Sequence, residues 1–572
     1  MKPEESERDR GALVLLLVWA VSALLWLAPG ITKPDGVGYF VYLPSIRFGG
    51  DLLFFDEWER FGLIEREVIL HKEVTTTGHL GNHWTVGSSL LWFPAYLAGD
   101  AAAMLLSDRF GFPRNGISLP YNVPVVMTSA LAGLATLILG YRAACKWVSP
   151  RPALIASLGI WFGSPLLWYS VRNPIMGHAA GAFACAVATV LAIRLRQSRA
   201  PVDLIAAGLA AGFAFAVRPQ NAPIALLPLF FVPRVAWRDL RSLAGFGSGL
   251  LLGVLPQLVV SWTLYGTPWG FLTGGGNARP FAALEKIWTW EPIFSWYHGL
   301  LPWTPFLGLA LVGFVFLWRL DRGLGAAAVY FFACQWLINA LLERSFWGAY
   351  AFGQRRFDNC TIFFLLGAAA LLARIPPVVG LLITIGCAAW TMSLAFASFN
   401  TLDLNIYYTP AEIISAQAAA VANLASFFQP LQSVPPAMKS VVLFLCALVA
   451  LPTALACLVA RWRYTGRLYF LTWAVSFYFL AMTAALAICG WRGMHAQPRY
   501  AQLVAFNREL ASYMGGADAR IGLLSDEAAF LRKSGRVEEA LETEQLLETV
   551  LARRRQGVAA FRRKYEQGGT QR

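Results

Sequence analysis

W84-TVGSSLLWFPAYLAGDAAAML-L106 is an apolar segment of 23 residues, long enough to cross a hydrocarbon core about 30 Å thick. Its placement preserves or inverts the sidedness of every loop after it, and the arginines choose between the two. If it does not cross, one side of the membrane collects Lys2, Arg8 and Arg10; Arg142, Lys146 and Arg151; Arg194, Arg196 and Arg199; Arg234, Arg238 and Arg241; Arg319 and Arg322; Arg374; and Arg461, Arg463 and Arg467. Short loops rich in Lys and Arg stay cytoplasmic. If it does cross, every cluster but the first faces outward. We therefore read 84–106 as a juxtamembrane or re-entrant segment on the outer face. Asp100 in its middle and the polar SDRFGFPRNG (107–116) after it agree with that reading.

Outward from this segment the chain is 57% hydrophobic and 14% charged, with a mean hydropathy of +0.53, well above what a soluble core needs. Further apolar runs lie at 11–30, 121–140, 153–170, 178–194, 202–217, 221–233, 243–264, 300–318, 324–342, 360–373, 376–397, 438–460 and 467–489, about thirteen crossings. The fold class expected is an all-α polytopic membrane protein with outer-face juxtamembrane helices. The formal charge of +14 lies mostly in the short loops, which explains it by topology and removes the case for nucleic-acid binding. The run from Gly11 to Pro29 is long enough to stay as an anchor and lacks a small-x-small cleavage site. The eight cysteines lie in or beside apolar runs without a CxxC pair and read as small core residues.

Two domains follow: a transmembrane domain over 1–490, whose first external loop is 31–120, and a helical external tail over 491–572. The expected placement is multi-pass in a membrane, with the N-terminus cytoplasmic and the tail external. In this topology all six histidines, His71, His79, His83, His178, His298 and His495, lie on the external side. Residues 57–74 pattern as an amphipathic helix on the outer leaflet or as a solvated loop helix. The loop from Tyr265 to Gly299 carries GGGNARP (274–280) and WTWEPIFSWYHG (288–299), the pattern of a flap beside an aromatic belt. The stretch 398–437 patterns as a surface helix. Helices are expected near 498–513, 518–533 and 536–565.

The chemistry-bearing residues concentrate after the first run, in TKPDGVGYFVYLPSIRFGGDLLFFDEWER (32–60). Asp35 stands on a Pro-Asp-Gly turn where a helix meets water, followed by Tyr39 and Tyr42. It is a candidate general base, or a helix-terminating turn residue. Asp51, Asp56 and Glu57 read as a solvated or supporting face. Arg218 in AVRPQNAP, and Arg355 and Arg356 in FWGAYAFGQRRFDN, break the inside bias of the basic residues. An arginine costs roughly 2.5–3.5 kcal/mol at a membrane centre and less near an interface, so these suggest an anionic partner, and a guanidinium fork matches phosphate. The alternatives are snorkelling to headgroups or pairing with Glu343 and Asp358. His79, His83, His178 and His298 converge on the same outer face, as substrate-binding groups or as interfacial hydrogen-bonders. His79 and His83 have four-residue spacing, but Gly78 and Gly81 argue against a helical metal pair.

One base plus positive charge suits displacement at a sugar carbon bearing phosphate, since a phosphate needs no second carboxylic acid to leave. The competing classes are a transporter or flippase of lipid-linked sugars, which calls for ionisable residues near helix centres and inverted repeats, and a non-catalytic scaffold whose tail recruits partners.

The order of motifs, an acidic turn after the first helix, HWTVGSSLLWFPAYL (83–97), NPIMGHAAGAF (173–183), VRPQN (217–221), HGLLPWTPFLGLALVG (298–313) and FWGAYAFGQRR (346–356), resembles bacterial GT-C fold glycosyltransferases. These membrane enzymes are related to protein O-mannosyltransferases and aminoarabinose transferases, and the resemblance covers roughly residues 11–400. It implies a polyprenyl-phosphate-linked sugar donor, transfer with inversion to an acceptor hydroxyl or amine on a protein, lipid or polysaccharide at the periplasmic face, and membrane lipids as surroundings. It implies Asp35 as base, Arg218, Arg355 or Arg356 near the lipid phosphate, and no required cofactor, with a divalent cation left open. The sequence departs from the mannosyltransferases in having a lone Asp35 in place of an acidic pair. It departs from the aminoarabinose transferases in having His178 where an acidic residue often stands.

Overall fold

The computed structural model describes residues 3–31, 34–61, 75, 77, 79–233, 239–273, 287–341, 346–348, 351–422, 441–451, 465–494, 524–525, 528–533 and 535–568. Every element among them is helical. The long helices are α1 (Pro3–Trp26), α2 (Gly87–Phe110), α3 (Leu119–Ala144), α4 (Pro150–Gly163), α5 (His178–Arg194), α6 (Pro201–Val217), α7 (Leu240–Tyr265), α8 (Pro305–Leu320), α9 (Arg322–Leu341), α10 (Thr361–Leu372), α11 (Pro377–Asn400), α12 (Pro410–Ala422), α13 (Thr465–Met494) and α14 (Val537–Gly568). Among the described residues, seven stretches are long and apolar enough to cross a membrane, and four shorter apolar helices accompany them. Each of the thirteen runs has a helical counterpart, but thirteen full-length spans are not reached among the described residues. Leu13, Leu17, Val21 and Leu24 leave more than half their surface outward on α1, as lipid-facing side chains do and water-facing ones rarely would.

The expected run 221–233 is not an α-helix. Pro219–Phe230 winds as a 3₁₀ helix, because Pro219, Pro223 and Pro228 each remove an N–H donor and crowd an α-helical turn. Glu57, read as part of a solvated face, is 1% exposed. Of the amphipathic segment 57–74, the helix Phe55–Arg60 is described. Residues 62–74 with His71, the glycine-rich 274–280, Glu343, Arg461, Arg463, His495 and the 498–513 helix lie outside the described residues.

Gly87–Ser107 is among the seven by length and composition. Gly87 abuts the Ala216–Val217 backbone at the C-terminal end of α6, and Thr85 donates to the Val217 carbonyl, 2.6 Å. Trp92 Nε1 donates to Ser129 Oγ, 2.9 Å, and Gly99 lies against Pro120. α2 thus runs along the first half of α3 and its last turns pass the start of that helix. The other half of α3 pairs with α1, where Gly11 meets the Tyr141 hydroxyl.

One end of the bundle gathers the basic residues. Arg8 donates to the Cys145 carbonyl, 3.0 Å; Arg194 pairs with Asp203, 2.8 Å; Arg196 pairs with Asp321, which also meets Trp147. The turns after α3, α5 and α8 therefore share that end. α6 and α7 touch backbone to backbone, Gly208 and Gly212 against Phe246 and Leu250, Gly249 and Gly253 against Ile205 and Leu209. A Cβ at any of these would collide, the logic of small-xxx-small membrane packing. This contact fixes the axis of α6 and so the place where Arg218 emerges.

Candidate functional site

His178 is the first residue of α5 and Arg194 the last. The end opposite the basic loops is therefore about 25 Å away along a helix of 1.5 Å rise, and the candidate residues meet there. The helix Pro34–Phe40 carries Asp35 in its first turn. Gly36 packs on Ile175 and Gly38 on the Trp84 ring, too closely for any Cβ. This close approach seats Asp35 and Tyr39 against the Asn173–Gly177 turn.

Arg218 closes α6 with extended backbone, φ −153° and ψ 118°, because Pro219 disfavours the helical conformation before it. Its Nη1 lies 2.8 Å from His178 Nδ1, and its Nη2 donates to Gln220 Oε1, 3.2 Å. Gln220 in turn donates to the Arg356 carbonyl, 3.1 Å, tying the end of α6 to the 3₁₀ turn Arg355–Cys360. Arg355 Nη2 stands 3.6 Å from Asp35 Oδ2, with 12% of the arginine side chain and 39% of the aspartate side chain exposed. A nearly buried guanidinium beside a half-open carboxylate leaves the carboxylate accessible and the positive charge little screened.

Beneath that pair lies a buried polar group of residues. His178 Nδ1 is 3.3 Å from Asp358 Oδ2 and 3.1 Å from the Arg355 carbonyl, and its ring stacks on Tyr169 at 4.3 Å. Burial pushes the Asp358 carboxyl well above the usual carboxylate range, opposed by the Arg218 and Arg355 charges. Asn359 is fully buried, and neither end of its amide has a hydrogen-bond partner among the described residues. Its Oδ1 would be 2.8 Å from a Cβ at position 181, which explains Gly181 in GHAAG. Asp358 figured in the sequence only as a pairing alternative for the arginines. Asn359 and Tyr169 carried no signal there, since only burial distinguishes them, and the half-buried Gln220 is distinguished only by its hydrogen bonds.

Tyr39 joins the site: its phenol ring lies 3.1 Å from a Cβ at position 177, within the fields of Arg218, Asp35 and Arg355. Burial raises its pKa, so the phenol remains a hydrogen-bond donor. Tyr42 does not join. It is fully buried, with its hydroxyl donating to the Trp84 carbonyl, 2.7 Å, and its ring edge-on to Phe54. His83 stacks on Trp84 at 3.7 Å, next to Gly38. Arg356 turns to Asn339 Oδ1, 3.3 Å. His298 is buried, its Nε2–H donating to the Leu404 carbonyl, 2.9 Å, which leaves Nδ1 a buried acceptor without a partner among the described residues. Burial, with Arg355 nearby, lowers its pKa to about 3. Among the described residues no three His, Cys, Asp or Glu groups converge as metal ligands.

The arrangement offers one accessible carboxylate, two inward-held guanidinium groups and a phenol, with the His178 imidazole beside them. No protein-family model matches the chain, and no curated protein matches it. Among solved structures the chain is similar to the crystal structure of ArnT from Cupriavidus metallidurans in the apo state, with 15% identity, 90% of this chain and 79% of that chain covered, and a TM-score of 0.45.

Proposed function

We propose that this protein is an inverting GT-C-type glycosyltransferase that takes a sugar from a polyprenyl-phosphate donor at the non-cytoplasmic rim of the membrane. The observation that carries the reading is the Asp35–Arg355 pair at 3.6 Å, with Arg218 held on the same side through His178. Asp35 accepts the proton of the acceptor hydroxyl or amine as its heteroatom attacks the anomeric carbon. The bond from that carbon to the phosphate oxygen breaks, and the departing lipid phosphate takes up the negative charge. Arg355 and Arg218 hold that charge where it develops, the placement that lowers a barrier most. Tyr39 donates to the sugar or phosphate, and the His298 Nδ1 acceptor takes a hydroxyl. His83 lies at the rim.

The distribution of the basic residues supports a sidedness. With the arginine-rich turns on the cytoplasmic side, the site opens to the periplasm of a bacterial inner membrane, the N-terminus is cytoplasmic and the tail external. The test is purified protein with a labelled polyprenyl-phosphate sugar, following acceptor- or water-dependent release of lipid phosphate. Asp35→Asn is expected to lower release by about 10²-fold or more, the range of a lost general base, while donor lipid still binds. Turnover near that of the unaltered protein in Asp35→Asn would remove the carboxylate from the mechanism.

A further inference from the structure

The external tail reaches back onto the loops that carry the site. Phe530 is 4% exposed and its ring packs among Tyr297 (5.7 Å), Phe346 (5.5 Å), Trp347 (6.1 Å) and Tyr407 (5.2 Å). Polar contacts flank it. Arg536 pairs with Glu291, 3.2 Å, and its guanidinium lies over Trp288. Lys533 donates to the Tyr407 carbonyl, 3.0 Å. The socket is thus built from three external loops, and the plug comes from a segment more than a hundred residues later in the chain.

Two of those loops run directly into the site. Tyr297 precedes His298, whose φ of +60° puts a side-chain-bearing residue in the left-handed region. Such a conformation persists only where surroundings over-determine it. Tyr297 supplies that constraint, its ring stacked on Trp347 at 5.3 Å and its hydroxyl donating to the Asn405 carbonyl. On the other loop, Gln354 Nε2 donates to the Phe346 carbonyl, 2.8 Å, one residue before Arg355.

We infer that Phe530 and Arg536 are positioning residues: by filling and pinning the aromatic socket, the tail holds His298 and Arg355 in the geometry the site needs. The tail acts through Tyr297 and through the Phe346–Gln354 contact and touches no reacting atom. The catalytic consequence rests on the function proposed above; the ordering of the two loops does not.

The experiment is hydrogen exchange on the full-length protein, paired with turnover. Phe530→Ala is expected to raise exchange at least tenfold in peptides covering 288–298 and 346–356 while leaving 178–194 unchanged. Turnover should fall about tenfold, mainly in kcat, and Phe530→Leu should restore most of both, since it refills the socket. Arg536→Ala, which keeps the plug and removes the ion pair, should give a smaller change in the same direction and serves if Phe530→Ala fails to fold. Unchanged exchange in both loops for the folded variants overturns the inference, whether or not the protein proves to be a transferase. Faster exchange with undiminished turnover in an active preparation overturns the catalytic part.

Discussion

His178 and Asp358 stand with Nδ1 and Oδ2 3.3 Å apart, both buried at the meeting point of the α5 start and the turn before α10. Removing one member of a buried polar cluster costs about 1–3 kcal/mol because the groups it faced stay buried and unsatisfied. Asp358→Ala therefore leaves the buried His178 Nδ1 without the oxygen it faces. Asp358→Asn keeps the shape, and because burial drives this carboxyl toward its neutral form, the amide imitates the native state. We expect the alanine variant to lose about 1–3 kcal/mol in detergent melting and the asparagine variant less than about 1 kcal/mol. Equal losses would mean that the carboxylate charge, and not its shape, is what the site uses.

Tyr39 and Tyr42 are three residues apart and have different duties. The Tyr42 hydroxyl satisfies the Trp84 carbonyl deep in the protein, so Tyr42→Phe should cost about 1 kcal/mol of stability, the usual net worth of one hydrogen bond, with turnover unchanged. Tyr39 lies among Arg218, Asp35 and Arg355, so Tyr39→Phe should lower kcat several-fold at nearly constant melting temperature. Steady-state kinetics beside melting curves separate the two, and a kinetic defect in Tyr42→Phe would contradict the structural role.

Much of this was legible in the sequence, and the parts that were not share a cause. Hydropathy marks each helical run, and the inside bias of arginine marks Arg218 and Arg355 as residues with another task. The Pro34-Asp35-Gly36 step reads as a turn in the sequence, whereas the structure makes it the start of the helix Pro34–Phe40. Burial is what a one-dimensional reading lacks: Glu57, Tyr42 and Asp358 look like surface or interfacial polar groups until neighbours from distant segments close over them. The prolines at 219, 223 and 228 did carry the 3₁₀ conformation, but a hydropathy window averages over that backbone chemistry. The Phe530 contact joins residues too far apart for any local pattern to show.

The adjacent arginines should also part company. Arg355 faces Asp35, whereas Arg356 reaches back to Asn339 on α9. A hydrogen bond to a charged group contributes about 1.5–3 kcal/mol, so Arg355→Ala should raise the donor KM by roughly tenfold or more. Arg356→Ala should change it less than about threefold. Titrations with a labelled donor lipid measure both constants, and a reversed order would move the phosphate subsite toward α9.

Acid should destabilise the protein through two buried imidazoles that sit apart in the fold. His79 donates from Nδ1 to Thr77 Oγ1, 2.9 Å, since that hydroxyl spends its own proton on the Leu264 carbonyl, and its Nε2 is buried with no partner among the described residues. Burial lowers its pKa to about 4 and that of His298 to about 3, against an ordinary value near 6.5. A histidine depressed in the folded state contributes stability that is fully present above about pH 6.5. It is lost as pH falls toward 4 and 3, because the unfolded chain binds protons that the folded chain refuses. Melting temperature should therefore drop between pH 7.5 and 5, and His79→Gln, which cannot titrate, should shrink that drop even if it lowers the melting point at pH 7.5. An acid shift of the same size in the glutamine variant would place the lability elsewhere.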